Sequence, residues 1–327
     1  MRTVRWGILG PGKISRAFAK ALQEADGAEL AAIGSRDMNR ASAFAAEFGA
    51  LRAYGSYEDL AADPGVDAIY IGTPHSGHEA HTMLCLEGGK HVLCEKAFAL
   101  NAIQAERMIG AARSHGLALM EAMWTRFLPA VVRVRELVAD GAIGEIRMIN
   151  ADFGFKADYD PGSRLFDPSL GGGALLDLGI YPLSLAFMLC GKPVEIQTTA
   201  NLGATGVDEE SVILLRHAGG ELSALSTSLR VATPREAHIL GTEGHITISF
   251  PWWASNRFVL QTKSGGEEVF EFPHRGGGYT YEAEAFMEVI RSGRLESEVM
   301  PLDESLAIMK TMDTIRERWG MSYPAER

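Results

Sequence analysis

Asp177 and Tyr181 are the only polar groups of size in an apolar stretch, Gly171-Gly172-Gly173-Ala174-Leu175-Leu176-Asp177-Leu178-Gly179-Ile180-Tyr181-Pro182. Residues four apart share one face of a helix, so a helical segment turns this carboxylate and this phenol into one cavity. Converging on a ligand, they are groups of the acid–base kind. Facing each other in a core, they would simply satisfy one another's hydrogen bonds. Pro182 limits the helix: it offers no N–H to the carbonyl of Leu178, and Tyr181, as the residue before it, is pushed away from helical geometry. A kink or break near Gly179 is expected.

A second cluster opens the chain. Val4 to Leu9 is a short apolar strand, Gly10-Pro11-Gly12-Lys13-Ile14-Ser15 a glycine turn, and Arg16 to Glu24 helix-like. Strand, glycine turn and helix in this order suit a dinucleotide: Gly10 allows the tight turn, Gly12 lets a pyrophosphate near the backbone, and free N–H groups at Lys13 and Ile14 face its charge. Ser15 stands where the pattern has its third glycine, which predicts looser packing of helix on strand. A second strand, Glu29 to Gly34, ends in Ser35-Arg36-Asp37, about where the ribose-reading residue belongs. Ser35 and Arg36 favour the 2′-phosphate of NADP(H); Asp37 would favour NAD(H). NADP(H) is therefore the preferred cofactor with NAD(H) open, and Arg36 as a solvated loop charge is the plain alternative.

Helices and short apolar strands keep alternating to about Met120, which predicts a doubly wound parallel sheet, an α/β Rossmann domain over residues 1–121. Ligands bind at the C-terminal ends of such strands. Thr73-Pro74-His75 and Glu95-Lys96-Ala97 occupy two of those ends. His75, His78 and His81 recur every third residue, but the pattern lacks H-E-x-x-H, and His78 and His81 are expected on an exposed helix face, so no metal is assigned. Residues 122–327 read as a second, α+β domain, where the substrate would bind. After a helix at 130–139, strand-like runs at 145–155, 194–200, 211–217, 221–230, 236–241, 245–250, 258–262 and 268–272 follow one another with short turns, which predicts a large open antiparallel sheet. Helices at 281–292 and 303–319 close the chain. Gly276-Gly277-Gly278-Tyr279 is a plain loop or a reach toward the ligand.

The chain has 327 residues, 46% hydrophobic and 22% charged, room for about two domains. A net charge of -11 without a basic block argues against nucleic acid. The longest uncharged run, Leu178 to Gly191, is short for a membrane span, and the N-terminus enters a strand without a signal-like segment, so a cytoplasmic location away from the membrane is expected. Cys85, Cys94 and Cys190, odd in number and without a CxxC pair, read as reduced core thiols.

Taken together, the glycine loop, Glu95-Lys96 after a buried strand, and Asp177-x-x-x-Tyr181 after three glycines resemble the glucose-fructose oxidoreductase, inositol dehydrogenase and MocA (Gfo/Idh/MocA) family. The likeness runs from Val4 to about Trp319. Met120-Glu121-Ala122-Met123-Trp124-Thr125-Arg126-Phe127-Leu128-Pro129 resembles the branch of dimeric dihydrodiol dehydrogenases and NAD(P)-dependent D-xylose dehydrogenases. Ala97 departs from the family's Glu-Lys-Pro, which suggests a less rigid turn, and Tyr181 stands where many relatives have histidine.

The resemblance implies an NAD(P)-dependent oxidoreductase moving a hydride between nicotinamide and a secondary alcohol or hemiacetal carbon of a sugar or trans-dihydrodiol. Lys96 would lie between cofactor and substrate, Tyr181 would take the hydroxyl proton, and Asp177 would hold Lys96 or a substrate hydroxyl; either Lys96 or Tyr181 is the formal base. Trp124 would be a wall for the substrate ring or a core aromatic, and Arg126 a substrate contact or the partner of an acid at the domain junction. The family pairs open sheet faces between subunits, which implies a homo-oligomer, dimer or tetramer. Two other functions compete with it: a non-catalytic NAD(P)-sensing regulator of the same fold, and a metal-dependent hydrolase or lyase using the histidines.

Overall fold

A computed structural model describes residues 2–263 and 265–326. The chain forms two compact units, Met1–Trp124 with His274–Leu306, and Thr125–Pro273 with Ala307–Arg327. Beyond the crossing the sequence reading puts near residue 121, the chain thus returns to its first unit with residues 274–306.

The first unit begins with strands β1 (Val4–Leu9), β2 (Ala28–Gly34), β3 (Arg52–Tyr54), β4 (Ala68–Ile71), β5 (His91–Glu95) and β6 (Leu119–Ala122), alternating with helices α1 (Lys13–Leu22), α2 (Met38–Phe48), α3 (Tyr57–Ala62), α4 (His78–Glu87) and α5 (Ala102–His115). The strands form one parallel sheet in the order β3-β2-β1-β4-β5-β6. β4 and β6 are buried along their whole length and β1 and β5 nearly so, as expected of a parallel sheet with helices on both faces. This explains why they read as unbroken apolar runs and not as alternating ones. The order reverses between β1 and β4, which opens a crevice at their C-terminal ends.

In the second unit, helix α6 (Pro129–Ala139) precedes strand β7 (Ile146–Gly154). A π turn at Leu175–Gly179 runs into helix α7 (Ile180–Cys190), and strands β8 (Pro193–Leu202), β9 (Asp208–His217), β10 (Leu222–Ser228), β11 (Ala237–Gly241), β12 (Gly244–Ile248), β13 (Arg257–Thr262) and β14 (Gly266–Glu271) follow. They pair as β14-β13-β12-β11-β7-β10-β9-β8, antiparallel except where β7 and β10 lie parallel. Alternation sets the two faces: on β9, Ile213 and Leu215 are buried while Val212, Leu214 and Arg216 are exposed. Helix α8 (Tyr279–Arg291) belongs to the first unit, and α9 (Leu302–Trp319) ends the helical part of the chain.

Among the described residues, one helical run, Pro168–Cys190, is long and apolar enough by length and composition to cross a membrane, and 83% of its apolar window is buried inside the protein. It is the core of the second unit. The expected kink or break at Pro182 takes a milder form. The wider π hydrogen bonding of Leu175–Gly179 continues without a break into α7, and Pro182 lies just after this widened stretch.

Candidate active site

At the crevice of the first unit, Gly10 has φ +87°, a conformation for glycine, and an added Cβ would press on Thr73 at 2.7 Å. Gly12 is different. A Cβ there would meet nothing nearer than the Gly72 carbonyl at 3.7 Å, so protein packing does not require glycine, and the open space suits a ligand lying on the backbone. Gly12 is also the N-cap of α1 and supplies no side chain, which leaves the first-turn amides of Lys13 and Ile14 to an anion.

Ser15 does not loosen this region as expected. It is fully buried and donates to the Gly10 carbonyl at 2.6 Å, tying helix to loop. Its room comes from Gly72, where a Cβ would run into the Ser15 hydroxyl.

A groove of about 400 Å³ continues past Ser35, Arg36, Asp37 and Arg40 to Thr73 and Pro74. Asp37 caps α2: its carboxylate accepts from Asn39 N at 2.8 Å and Arg40 N at 3.4 Å, and its own N–H donates to Ser35 Oγ at 3.2 Å. Arg36 and Arg40 both line the groove, and Arg40 was missed because it sits inside a helix, where a lone arginine reads as a solvated face.

The histidines serve the loops. His78, expected on an exposed face, is fully buried, with Nδ1 2.9 Å from the Ala97 carbonyl and Nε2 2.9 Å from the Thr73 carbonyl, so it spans the loops after β4 and β5. Both partners accept, and burial, which pushes the imidazole pKa down, opposes having two N–H groups at once. His81 is partly buried, contacts Thr73 Oγ1 through Nδ1 at 2.9 Å, and has its pKa lowered to about 4, first by burial and then by the neighbouring His78 and Arg36. His75 is buried beside the His78 ring, 5.6 Å between centroids. Among the described residues no group of three or more His, Cys, Asp or Glu could hold a metal ion.

Lys96 follows β5 directly and is partly exposed. Glu95 is buried and accepts from the Tyr70 hydroxyl in the interior. Below them Tyr70 stacks on Phe18 at 3.9 Å. Trp124 stacks on Tyr279, the first residue of α8, at 4.3 Å, so the glycine loop before α8 delivers an aromatic partner to Trp124.

In the second unit the π turn and α7 carry Asp177 and Tyr181, both buried. Asp177 accepts from Arg164 at 2.9 Å, an arginine whose side chain is 58% exposed. Tyr181 lies beside Phe153 and Trp253, at 5.4 and 6.4 Å between centroids, and those two rings stack on each other at 3.4 Å. Arg126 is buried against α7, donating from Nε to Ser184 Oγ at 2.7 Å and from a terminal nitrogen to the Ser184 carbonyl at 2.8 Å, one turn beyond Tyr181. Phe153, Trp253 and Arg164 were not anticipated. Pro251-Trp252-Trp253 after a strand was a usable signal for the aromatic wall; nothing in the sequence around Arg164 marked it.

Residues 4–123 match an oxidoreductase family with an NAD-binding Rossmann fold, and residues 131–247 match the GFO/IDH/MocA C-terminal domain. The chain belongs to the Gfo/Idh/MocA oxidoreductases. Within reach of this family, the trans-1,2-dihydrobenzene-1,2-diol dehydrogenase of Homo sapiens is 38% identical over 99% of both chains. That of Xenopus tropicalis is 36% identical over 98% of this chain and 99% of its own. The 3-ketoreductase KijD10 from Actinomadura kijaniata, solved with NADP and TDP-benzene, has a TM-score of 0.87 at 28% identity over 97% of this chain and 98% of its own. Levoglucosan dehydrogenase with NADH and L-sorbose has a TM-score of 0.89 over 97% and 96% of the two chains, but at 21% identity this is a likeness of fold alone.

Proposed function

We propose that this family member prefers NADP(H), oxidises a trans-dihydrodiol or a cyclic sugar at a ring hydroxyl, and uses Lys96, Asp177 and Tyr181 for the chemistry. That it is an NAD(P)-dependent oxidoreductase follows from its family and from full-length relatives named as dehydrogenases. The observation that carries the finer reading is the wall around Tyr181: a phenol held beside stacked Phe153 and Trp253 suits a flat or cyclic substrate bearing a hydroxyl.

A bound nicotinamide supplies the hydride acceptor or donor. Tyr181 takes the proton of the substrate hydroxyl, and the Lys96 ammonium stabilises negative charge developing on that oxygen. Asp177, which accepts from the Arg164 guanidinium at 2.9 Å, orients a substrate hydroxyl. Gly10, Gly12, Lys13 and Ile14 hold the pyrophosphate, and Thr73, Pro74, His75 and Glu95 shape or support the strand ends. Trp124 and Arg126 form substrate walls, the latter through its hold on α7. Residues 1–121 act as the cofactor domain and 122–327 as the substrate and assembly domain.

The preference for NADP(H) is supported by Asp37 being spent on capping α2 while Ser35, Arg36 and Arg40 line the groove. A homo-oligomer is supported by the open sheet face. Met148, Leu214 and Leu222 line a cavity of about 290 Å³ there and, with Val212, lie 37–47% exposed, an apolar patch of the kind that marks an interaction surface.

The test is absorbance at 340 nm with NADP+ or NAD+ across trans-dihydrodiols, aldopyranoses and inositols. Turnover with a trans-dihydrodiol or aldopyranose, faster with NADP+, is expected; no turnover with any of them sinks the reading. Light scattering on the intact protein and on Leu214→Asp tests the assembly, with a shift from oligomer to monomer expected in the variant.

A further inference from the structure

We propose that Asp208 and Tyr323 are positioning residues for the reaction: buried beneath the start of the segment that carries Asp177 and Tyr181, they fix its backbone and so aim the two side chains. The inference rests on the reading of Asp177 and Tyr181 as reacting groups.

Three observations in the second unit carry it. Asp208, the first residue of β9, is fully buried, and its Oδ2 accepts from the Leu175 N–H at 2.7 Å, two residues before Asp177. The first amides of a helical segment have no partner within it, so this bond holds the segment where it begins. Gly173, with φ +116°, leaves the space Asp208 needs: an added Cβ would run into Oδ1, which has no hydrogen-bond partner of its own. From the C-terminal side, the fully buried Tyr323 donates its hydroxyl to the Gly172 carbonyl at 2.8 Å. The Arg316 guanidinium lies 4.8 Å over the Tyr323 ring, and is held by Asp313 at 2.7 Å and Glu326 at 2.8 Å. The start of the segment is thus held from two directions, at the Gly172 carbonyl and at the Leu175 amide three residues on.

The groups facing Asp208 are the amides of Ala174 and Leu175, the Arg316 guanidinium and the Tyr323 phenol. Burial dominates, opposed by those amides and by Arg316, and pushes the carboxyl up to about 7. The anchor therefore changes charge near neutral pH.

The test uses Asp208→Asn, Asp208→Leu and Tyr323→Phe in the full chain. Hydrogen–deuterium exchange of peptides covering residues 174–181, NADPH affinity, and kcat with a dihydrodiol or aldose are each followed from pH 5.5 to 8.5. Asp208→Leu is expected to raise exchange of the segment about tenfold and lower kcat about 100-fold with NADPH affinity within about twofold, as displacement of reacting groups does. Tyr323→Phe should do the same by about three- to tenfold. Asp208→Asn keeps an acceptor for Leu175, so it should stay near wild type in rate at one pH but lose the wild-type change in segment exchange around neutral pH. Wild-type exchange in all three variants, or an unchanged neutral inflection in Asp208→Asn, overturns the proposal. Should Asp208→Leu fail to fold, the other two variants decide. Absence of turnover in the wild type would sink the functional reading alone, since the exchange arm does not depend on substrate.

Discussion

In the first unit the ligand groove is built largely from main chain: the turn at Gly10 and Gly12, the uncapped start of α1, and the ends of β4 and β5 that His78 spans. In the second unit the candidate site is made of side chains. Tyr181, Phe153, Trp253, Asp177 and Arg164 come from β7, the π turn, α7 and the connections around them. On the proposed function, the contrast follows from what each unit recognises. A pyrophosphate is met by amides and a helix dipole, which any residue with room can present. A hydroxylated ring needs shape, an aromatic face and a placed proton acceptor, which only particular side chains offer.

The contrast is most exposed at Lys96, the one side chain of the first unit given a part in the chemistry. Lys96→Met should lower kcat/KM about 10³-fold, roughly 4 kcal/mol of transition-state stabilisation, while NADPH affinity changes far less. A rate near wild type would reduce the first unit to a cofactor holder. Next, Arg36→Ala combined with Arg40→Ala should weaken NADP(H) binding about 100-fold and NAD(H) binding less than about threefold in fluorescence titrations. Equal losses would mean that these cations face solvent and not a phosphate.

A smaller effect sharpens the role of the backbone. Gly72→Ala drives a Cβ into the Ser15 hydroxyl and should cost about 2 kcal/mol in denaturant unfolding, with much of it restored by adding Ser15→Gly. If the second change restores nothing, Ser15 and Gly72 are not the matched pair the packing indicates. The smallest effect lies in the second unit. Asp208 has its pKa raised by burial from the ordinary value near 4 to about 7, so between those values the folded state binds more protons than the unfolded state. Stability from this group is therefore full below about pH 4 and declines as pH rises through about 7. Relative to Asp208→Asn, the wild type should lose a few degrees of Tm between pH 5 and 8; parallel curves would contradict the shift.

What was legible in the sequence follows the same division. The parallel sheet and the glycine turn could be read because buried strands and glycine turns leave local signatures, and Ser35, Arg36 and Thr73 lie along the groove beside that turn. α3, six residues long with a single Ser56 cap to announce it, leaves a weak helical signature. His78 was misplaced on a surface because its partners, two loop carbonyls, are set by tertiary folding. Ser15 was misjudged for a similar reason, since the space it fills is granted by Gly72, 57 positions away along the chain. Strand alternation gave the large sheet but not the parallel pairing of β7 with β10, a long-range choice. Of the side chains around Tyr181, only the tryptophan pair advertised itself.

The most direct measurement is NADP+ reduction at 340 nm by wild type and Tyr181→Phe side by side with a trans-dihydrodiol, with NADPH affinity measured on the same samples. The account predicts wild-type turnover, a loss of about 10³-fold in the variant, and NADPH affinity unchanged within about threefold. Equal rates in the two proteins would contradict it.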